Sequence, residues 1–499
     1  MNASKNQIAN GSFGDNPIYQ QDQDWLHRQS LGHVLANLII DQRLDLPLTI
    51  GVYGDWGSGK TSILHLIRNA LPPDTLCLWF NAWAYAQQQD ALWRAFLLAI
   101  VRHFRDAQFQ NQIIDQRLLA YWLLNHPTPQ RRSTKAKQAK LTQAEIKQEL
   151  NRILDRLEVS LYRSQSYYHH EGTDINGQAV ALLMFRTLLR LFPLGETVEK
   201  SLLQQLTDGK DIEQLFQVLK KHEREELINH VQSIEQFKLE FEKLLTRFLT
   251  PVQRRLVILI DDLDRCLPEQ AISVLEAIKI FFDTTDHQGK PIQCVFVLGM
   301  DRRVIEDGLR TRYHNSTVTM VDARSYLDKI IQIPFSIPPL TREEITEFAE
   351  KWCDLHEANI KPCASFIATG VAENPRSVKR TLNILTLLYR LRQAQQDHLS
   401  SERLQLLTKL VVIQTSYDEI YRQIVADVRL FRELELASHA AASPAYAATT
   451  GQLLERHPRL RELLRQPPHL PSHPDEAEEW FKQLFYGLQM VSLLLAPPM

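Results

Sequence analysis

Cysteine is scarce and scattered, with five residues at Cys77, Cys266, Cys294, Cys353 and Cys363 in a chain of 499. The number is odd and none forms a C-x-x-C pair. That excludes a zinc ribbon or a disulfide framework as the organising device and predicts reduced thiols. Net charge is lacking as well. Lys and Arg number 57 against 59 Asp and Glu, a formal charge of −2, so there is no global pull toward nucleic acid or an anionic membrane. Long apolar runs are missing too. A membrane span needs about 18 apolar residues. The stretch 181–194 is broken by Arg186 and Arg190, and the uncharged C-terminal stretch contains Gln483, Gln489 and Pro497-Pro498. The opening MNASKNQIANGSFGDN has no apolar segment of secretory type. No internal repeat or long low-complexity tract stands out. What is present is ordinary for a soluble globular protein, 44% hydrophobic and 23% charged, with length enough for two to four domains. A cytoplasmic location is the expectation.

The informative stretch is LTIGVYGDWGSGKT, residues 48–61. Leu48, Ile50 and Val52 read as a buried strand. It ends in Gly54-Asp55-Trp56-Gly57-Ser58-Gly59-Lys60-Thr61, which fits G-x-x-x-x-G-K-[ST]. Glycines let the backbone take turns that a Cβ forbids. The turn aims successive N–H groups inward, and the following helix adds its positive end, which together make a cradle for phosphate. Lys60 can then reach the β- and γ-phosphates, and Thr61 offers a hydroxyl to Mg²⁺. The binding set expected from this stretch is Gly54 to Thr61 with Ser62. A chance glycine turn is the bland alternative. A strand before and a helix after (Ser62 to Ala70, stopped by Pro72-Pro73) argue against it.

In chain order, 1–21 reads as a flexible N-terminus and 22–105 as the first part of a phosphate-loop core. Residues 22–41 form a helix with Leu31, Val34, Leu35 and Leu38 on one face, 75–83 a strand, and 89–104 a helix. Residues 106–250 are polar and helix-forming, a helical insertion. It contains a basic stretch (131–140), which reads as a solvated charge run, and a His169-His170 pair without partners at metal-ligand spacing. The core resumes over 251–340. Leu256 to Ile260 are continuously apolar, as in a central parallel strand. Pro268 opens a helix through Phe282, 291–301 is a strand, and 323–340 reads as helix, short strand and proline-rich exit. Residues 341–420 form a helical lid and 421–499 a C-terminal helical tail. The alternation predicts an α/β fold: a phosphate-loop parallel sheet with a large helical insertion and a C-terminal helical bundle.

Candidate chemistry gathers at strand ends, where open α/β sheets place their ligands. Asp261 closes the apolar strand about 200 residues after the phosphate loop and suits Mg²⁺, with Thr61 as the other metal contact. Asp262 is the first candidate to orient the attacking water and Asp264 the second. Asp301 ends another strand and can sense the γ-phosphate, with helix N-capping as an equal explanation. Developing negative charge calls for an arginine. Arg265, Arg302, Arg303 and Arg380 are available. Arg376, after Asn374-Pro375, is the one favoured to close over a nucleotide, and Arg324 is its rival, able to act across a subunit boundary.

Six blocks, GDWGSGKTS (54–62), WFNAWAY (79–85), VILIDDLDRC (257–266), VFVLGMDRRVI (295–305), YLDKIIQIPF (326–335) and NPRSVKRTLN (374–383), resemble the KAP family of P-loop NTPases, of the bacterial type. The resemblance implies an ATPase core related to the STAND and AAA+ groups, with a helical lid. It implies phosphate binding at Gly54 to Thr61, Mg²⁺ handling at Asp261, a sensing or lid role near Arg376, and ATP with Mg²⁺ as cofactors. Many members insert transmembrane helices between the two nucleotide motifs. This chain has its insertion there without a legible span, which argues against an integral membrane protein. Bacterial members are linked with defence against phage or plasmids. The expected activity is ATP hydrolysis driving a change of shape or assembly. The partner would be a protein bound by the insertion or tail, and a nucleotide-dependent homo-oligomer is allowed. The alternatives are a nucleotide-dependent scaffold with little turnover, a nucleic-acid-stimulated motor, which the neutral charge disfavours, and a small-molecule kinase without a legible acceptor site. ATP over GTP rests on the resemblance, since no Asn-Lys-x-Asp is present.

Overall fold

Five strands, β1 (Leu48–Tyr53), β2 (Leu76–Asn81), β3 (Leu256–Asp261), β4 (Cys294–Met300) and β5 (Ile333–Ser336), pair in parallel in the order β2-β3-β4-β1-β5. This is a computed structural model. It describes residues 17–18, 24–86, 92–125, 135–162, 236–282, 293–313, 323–371, 374–396, 398–439, 443–471, 473 and 475–481. The His169-His170 pair, the 181–194 stretch and the C-terminal stretch after Phe481 lie outside them, as do residues 131–134 of the basic stretch. The α/β parallel sheet expected from the alternation is what the chain forms.

Two compact units divide the chain. One holds Ser30–Asp55 and Ile63–Ser336, and the other Met1–Gln29, Trp56–Ser62 and Ile337–Met499. The first is the sheet unit. Every residue of β1, β3 and β4 is buried, whereas β2 alternates buried with half-buried and β5 half-buried with exposed. Central strands covered on both faces require continuous apolar runs and edge strands do not, which is why 256–260 was so readable. Helices α1 (Gln29–Ile40), α2 (Lys60–Ala70), α3 (Ala82–Ala86), α4 (Leu92–Arg105), α5 (Lys135–Tyr162), α6 (Pro268–Phe282), α7 (Arg302–Tyr313) and α8 (Ala323–Ile330) accompany the strands. α5 and a helix over 236–248 share the core of the sheet. Ile146, Leu150 and Leu154 of α5, and Phe241 and Phe248 of a helix over 236–248, join one cluster with Phe96 and Phe104 of α4 and Ile258 and Phe296 of the sheet.

Helix α1 does not bury the face that its apolar spacing predicts. The helix starts at Gln29, and its buried residues are Gly32, Leu35, Ala36 and Ile39. Val34, placed on the inner face by apolar spacing, is 64% exposed. The reason is close helix packing. A Cβ at Gly32 would lie 2.6 Å from the Leu66 Cβ, so the small residues Gly32 and Ala36 form the contact face and turn Val34 outward.

The second unit is helical and carries one core of its own. α9 (Arg342–His356) begins with a capping box, in which the Thr341 hydroxyl accepts from the Glu344 N–H and the Glu344 carboxylate accepts from the Thr341 N–H. α10 (Pro375–Ala394), α11 (Ser401–Ser416), α12 (Arg429–Ser438) and α13 (Pro458–Arg465) pack with it. Leu26 is buried in this core and Trp25 packs against it, with the Trp25 ring 5.8 Å from Phe348. The described residues from 340 to 481 therefore share a core that includes residues from before α1.

Candidate nucleotide site

The phosphate-loop stretch has the backbone its glycines predict. β1 ends at Tyr53 and α2 begins at Lys60. Between them Gly57 has φ +86° and Gly59 φ +101°, a region that L side chains rarely adopt. A Cβ at Gly59 would meet no atom within 4 Å, so the loop is open at that point. Lys60 is buried, and no acidic residue lies in the first turn of α2 to neutralise its positive end. The Ser58 Oγ is buried without a hydrogen-bond partner among the described residues. A buried hydroxyl and an open glycine turn at a helix N-terminus fit a phosphate group. Ile18, from the segment expected to be flexible, donates its N–H to the Ser62 Oγ at 3.1 Å.

Trp56–Ser62 belong to the helical unit by their contacts. Asn374, the N-cap of α10, accepts the Arg376 N–H at 2.9 Å, and its Nδ2 donates to the Trp56 carbonyl at 2.7 Å. The Arg376 guanidinium lies 5.4 Å from the centre of the Trp56 ring. Trp56 itself is 68% exposed. Thus two sequence candidates, Trp56 and Arg376, meet directly. Arg324 sits on α8 in the sheet unit and is exposed.

At the C-terminal edge of the sheet, Asp261 and Asn81 are register partners on β3 and β2. Asp261 is 1% exposed. Asp262 follows in a left-handed conformation, φ +57°. That turn directs its carboxylate to two partners: Asn81 Nδ2 donates to Oδ2 at 2.9 Å, and Arg265 Nε lies 2.9 Å from Oδ1. The Arg265 guanidinium also lies 5.6 Å from the Trp83 ring centre. Asp264 Oδ2 accepts the Asp301 N–H at 2.8 Å, and Asp301 Oδ1 accepts the Arg303 N–H at 3.0 Å. Asp301 therefore caps α7, and Asp264 ties the turn after β3 to the end of β4. Arg302 pairs with Glu306 at 2.6 Å and Asp328 at 3.1 Å.

Sequence reasoning did not single out Asn81. It lies in the WFNAWAY block, but an asparagine at a strand end carries no local signal of its partner. Arg265 was read as a positive charge for phosphate, whereas the structure places it on Asp262. Among the described residues no group of three or more His, Cys, Asp and Glu is arranged to hold a metal by itself. Nor is any described helix long and apolar enough to cross a membrane.

A parallel sheet whose first strand runs through a glycine turn into a lysine-headed helix, with carboxylates at its C-terminal edge, defines a P-loop nucleotide-binding protein. Residues 28–392 match the KAP family P-loop domain, and the chain belongs to that family. No curated protein matches it. Among solved structures it is similar to one titled "Structure of the Aeropyrum Pernix ORC2 protein (ADPNP-ADP complexes)". That likeness has 12% identity over 96% of this chain and 98% of the other, with a TM-score of 0.34.

Proposed function

We propose that the chain is a cytoplasmic ATPase that binds ATP with Mg²⁺ at Gly54–Ser62 and uses hydrolysis to change shape or assembly state. The observation that carries this reading is the pair of left-handed glycines, Gly57 and Gly59, leading straight into Lys60 at the start of α2. Lys60 would meet the β- and γ-phosphates, and Thr61 and Asp261 would hold Mg²⁺, which lends charge to the phosphate oxygens when bound. Asp262 is the first candidate to orient water, and Asp264, which accepts the Asp301 N–H, is the second. Arg376 or Arg324 would supply the remaining positive charge, and Asp301 would sense the γ-phosphate in addition to capping α7. The domain division of the sequence reading, with 106–250 as insertion, 341–420 as lid and 421–499 as tail, assigns partner binding to the insertion or tail. A role in defence against phage or plasmids rests on the family's bacterial members.

Calorimetry with Mg²⁺-ATP and single-turnover hydrolysis test the reading together. Binding that Lys60→Ala weakens at least about tenfold, as loss of a charge-assisted contact implies, supports the nucleotide site. Hydrolysis by wild type and trapping of ATP by Asp262→Asn support the enzyme. Tight binding without turnover would leave the scaffold reading, and binding unchanged in folded Lys60→Ala would overturn the site.

A further inference from the structure

The N-terminus of α10 grips the phosphate loop through three separate contacts, and this arrangement serves no purpose for a loop that merely has to turn. The Asn374 side chain caps α10 through Oδ1 and holds the Trp56 carbonyl through Nδ2. Pro375 fixes the first helical residue, so the direction of the corner is preset. Gly57 lies flush against the helix start: a Cβ there would fall 2.7 Å from the Arg376 Cβ and 2.8 Å from the Asn374 Oδ1. Above this backbone contact the Arg376 guanidinium stands 5.4 Å from the Trp56 ring centre, within the range of a cation–π contact. The indole is 68% exposed, so burial does not account for its place in the loop. A large aromatic ring at the tip of a phosphate cradle, one residue before a left-handed glycine, does have a use as a support for a cation.

We propose that Trp56 is a positioning residue for Arg376: the indole holds the guanidinium beside the loop, and a bound phosphate competes with the ring for it. Asn374 keeps the backbones of loop and helix together while the side chain changes partner. A guanidinium offers both a flat face to an aromatic ring and a fork of N–H donors to phosphate oxygens, whereas a lysine offers a point charge without either. The start of α10 would thereby register whether the loop is filled. This inference rests on the proposal that the loop binds nucleotide.

The test uses the full chain. Trp56→Ala removes the competing contact, so Mg²⁺-ATP affinity rises by about two- to fivefold, the range of an exposed cation–π contact. Trp56→Phe, which keeps an aromatic face, restores most of the wild-type affinity. In an Arg376→Ala background, Trp56→Ala no longer changes affinity. The nucleotide-induced change in tryptophan emission, taken as the difference between wild type and Trp56→Phe, shows a Trp56 component that Arg376→Ala abolishes. If wild type binds ATP but Trp56→Ala has the same effect with and without Arg376, the positioning role is wrong and the nucleotide site stands. If wild type binds no nucleotide, both fall. Hydrogen exchange of the nucleotide-free chain checks the grip itself: Asn374→Ala speeds exchange at 56–62, and unchanged exchange there overturns it.

Discussion

Asn81 and Asp262 are bonded side chain to side chain at 2.9 Å, across the tips of neighbouring strands β2 and β3. With Arg265 at the other carboxylate oxygen, both oxygens of Asp262 already accept. A carboxylate so engaged is held in place, and only its remaining lone pairs are open to water. The bond thus defines a resting arrangement for the residue favoured as water-orienter.

Releasing one oxygen should raise basal turnover. Arg265→Ala is expected to increase single-turnover hydrolysis about fivefold, the equivalent of about 1 kcal/mol for a partly exposed ion pair. ATP affinity should stay within twofold or so of wild type, since Arg265 lies on Asp262 and Trp83. A slower rate would mean that Arg265 orients Asp262 productively.

The helical unit holds a fully buried ion pair that should govern its stability. Lys409 is 0% exposed, with Nζ 2.9 Å from Glu435 Oε1 and 2.8 Å from the Pro468 carbonyl, and Glu435 Oε2 accepts the Leu470 N–H at 3.0 Å. Burial pushes the Lys409 ammonium below the usual lysine range and Glu435 pulls it back. Deleting one partner strands the other in the core. Lys409→Ala and Glu435→Ala should therefore each cost about 3–5 kcal/mol in chemical denaturation. A loss below about 1 kcal/mol in both would show that the pair contributes little.

The cysteines give a pH dependence with a definite sign. Burial pushes Cys77 and Cys363 up to about 11 and Cys266 and Cys353 up to about 12, and raises Cys294 as well. Burial also holds Tyr53 and Tyr417 at about 12. Each group keeps its proton in the folded chain after the unfolded chain has lost it. Their stabilisation is full below the ordinary thiol value and is lost as pH climbs from about 9 toward 12. Urea midpoints should fall steadily over that range. The native thiols should react with a disulfide reagent at neutral pH far more slowly than in denaturant. Fast labelling of Cys294 or Cys353 in the native state would contradict this burial.

What could be read from the sequence was what depends on neighbours in the chain. Gly57 and Gly59 announced their left-handed turn through spacing, and 256–260 announced a central strand through an unbroken apolar run. Pro268 marked the start of α6 to the residue. What could not be read were partners far away in sequence. Trp56 and Asn374 meet across 318 positions, Asn81 and Asp262 across 181. The face of α1 was misjudged for a related reason. Gly32 counts as no signal in an apolar pattern, yet the close approach of Leu66 makes it the centre of the contact. Lys409 was simply one charge in a helical stretch until Glu435 and the Pro468 carbonyl were brought to it.

Gly57 and Gly59 should respond differently to the same small change. Both have positive φ, so alanine at either carries a left-handed strain of about 1–2 kcal/mol. Their surroundings differ. At Gly59 a Cβ meets no atom within 4 Å, whereas at Gly57 it collides with the Arg376 Cβ and the Asn374 Oδ1. The Arg376 Cβ is fixed by the helix backbone and cannot swing away as the end of a long side chain can. Gly57→Ala must therefore push the loop off the start of α10, breaking the Asn374 bond to the Trp56 carbonyl. Its melting temperature should fall further than that of Gly59→Ala. Gly59→Ala keeps the grip on α10 but projects a methyl group into the open turn ahead of Lys60, where the phosphate is proposed to sit. It should lose ATP affinity by about tenfold or more, with only the strain cost in stability. Thermal unfolding and calorimetry on the two variants separate these effects. Equal melting temperatures would show that the Gly57 contact with α10 yields easily, and unimpaired ATP binding by Gly59→Ala would place the phosphate elsewhere.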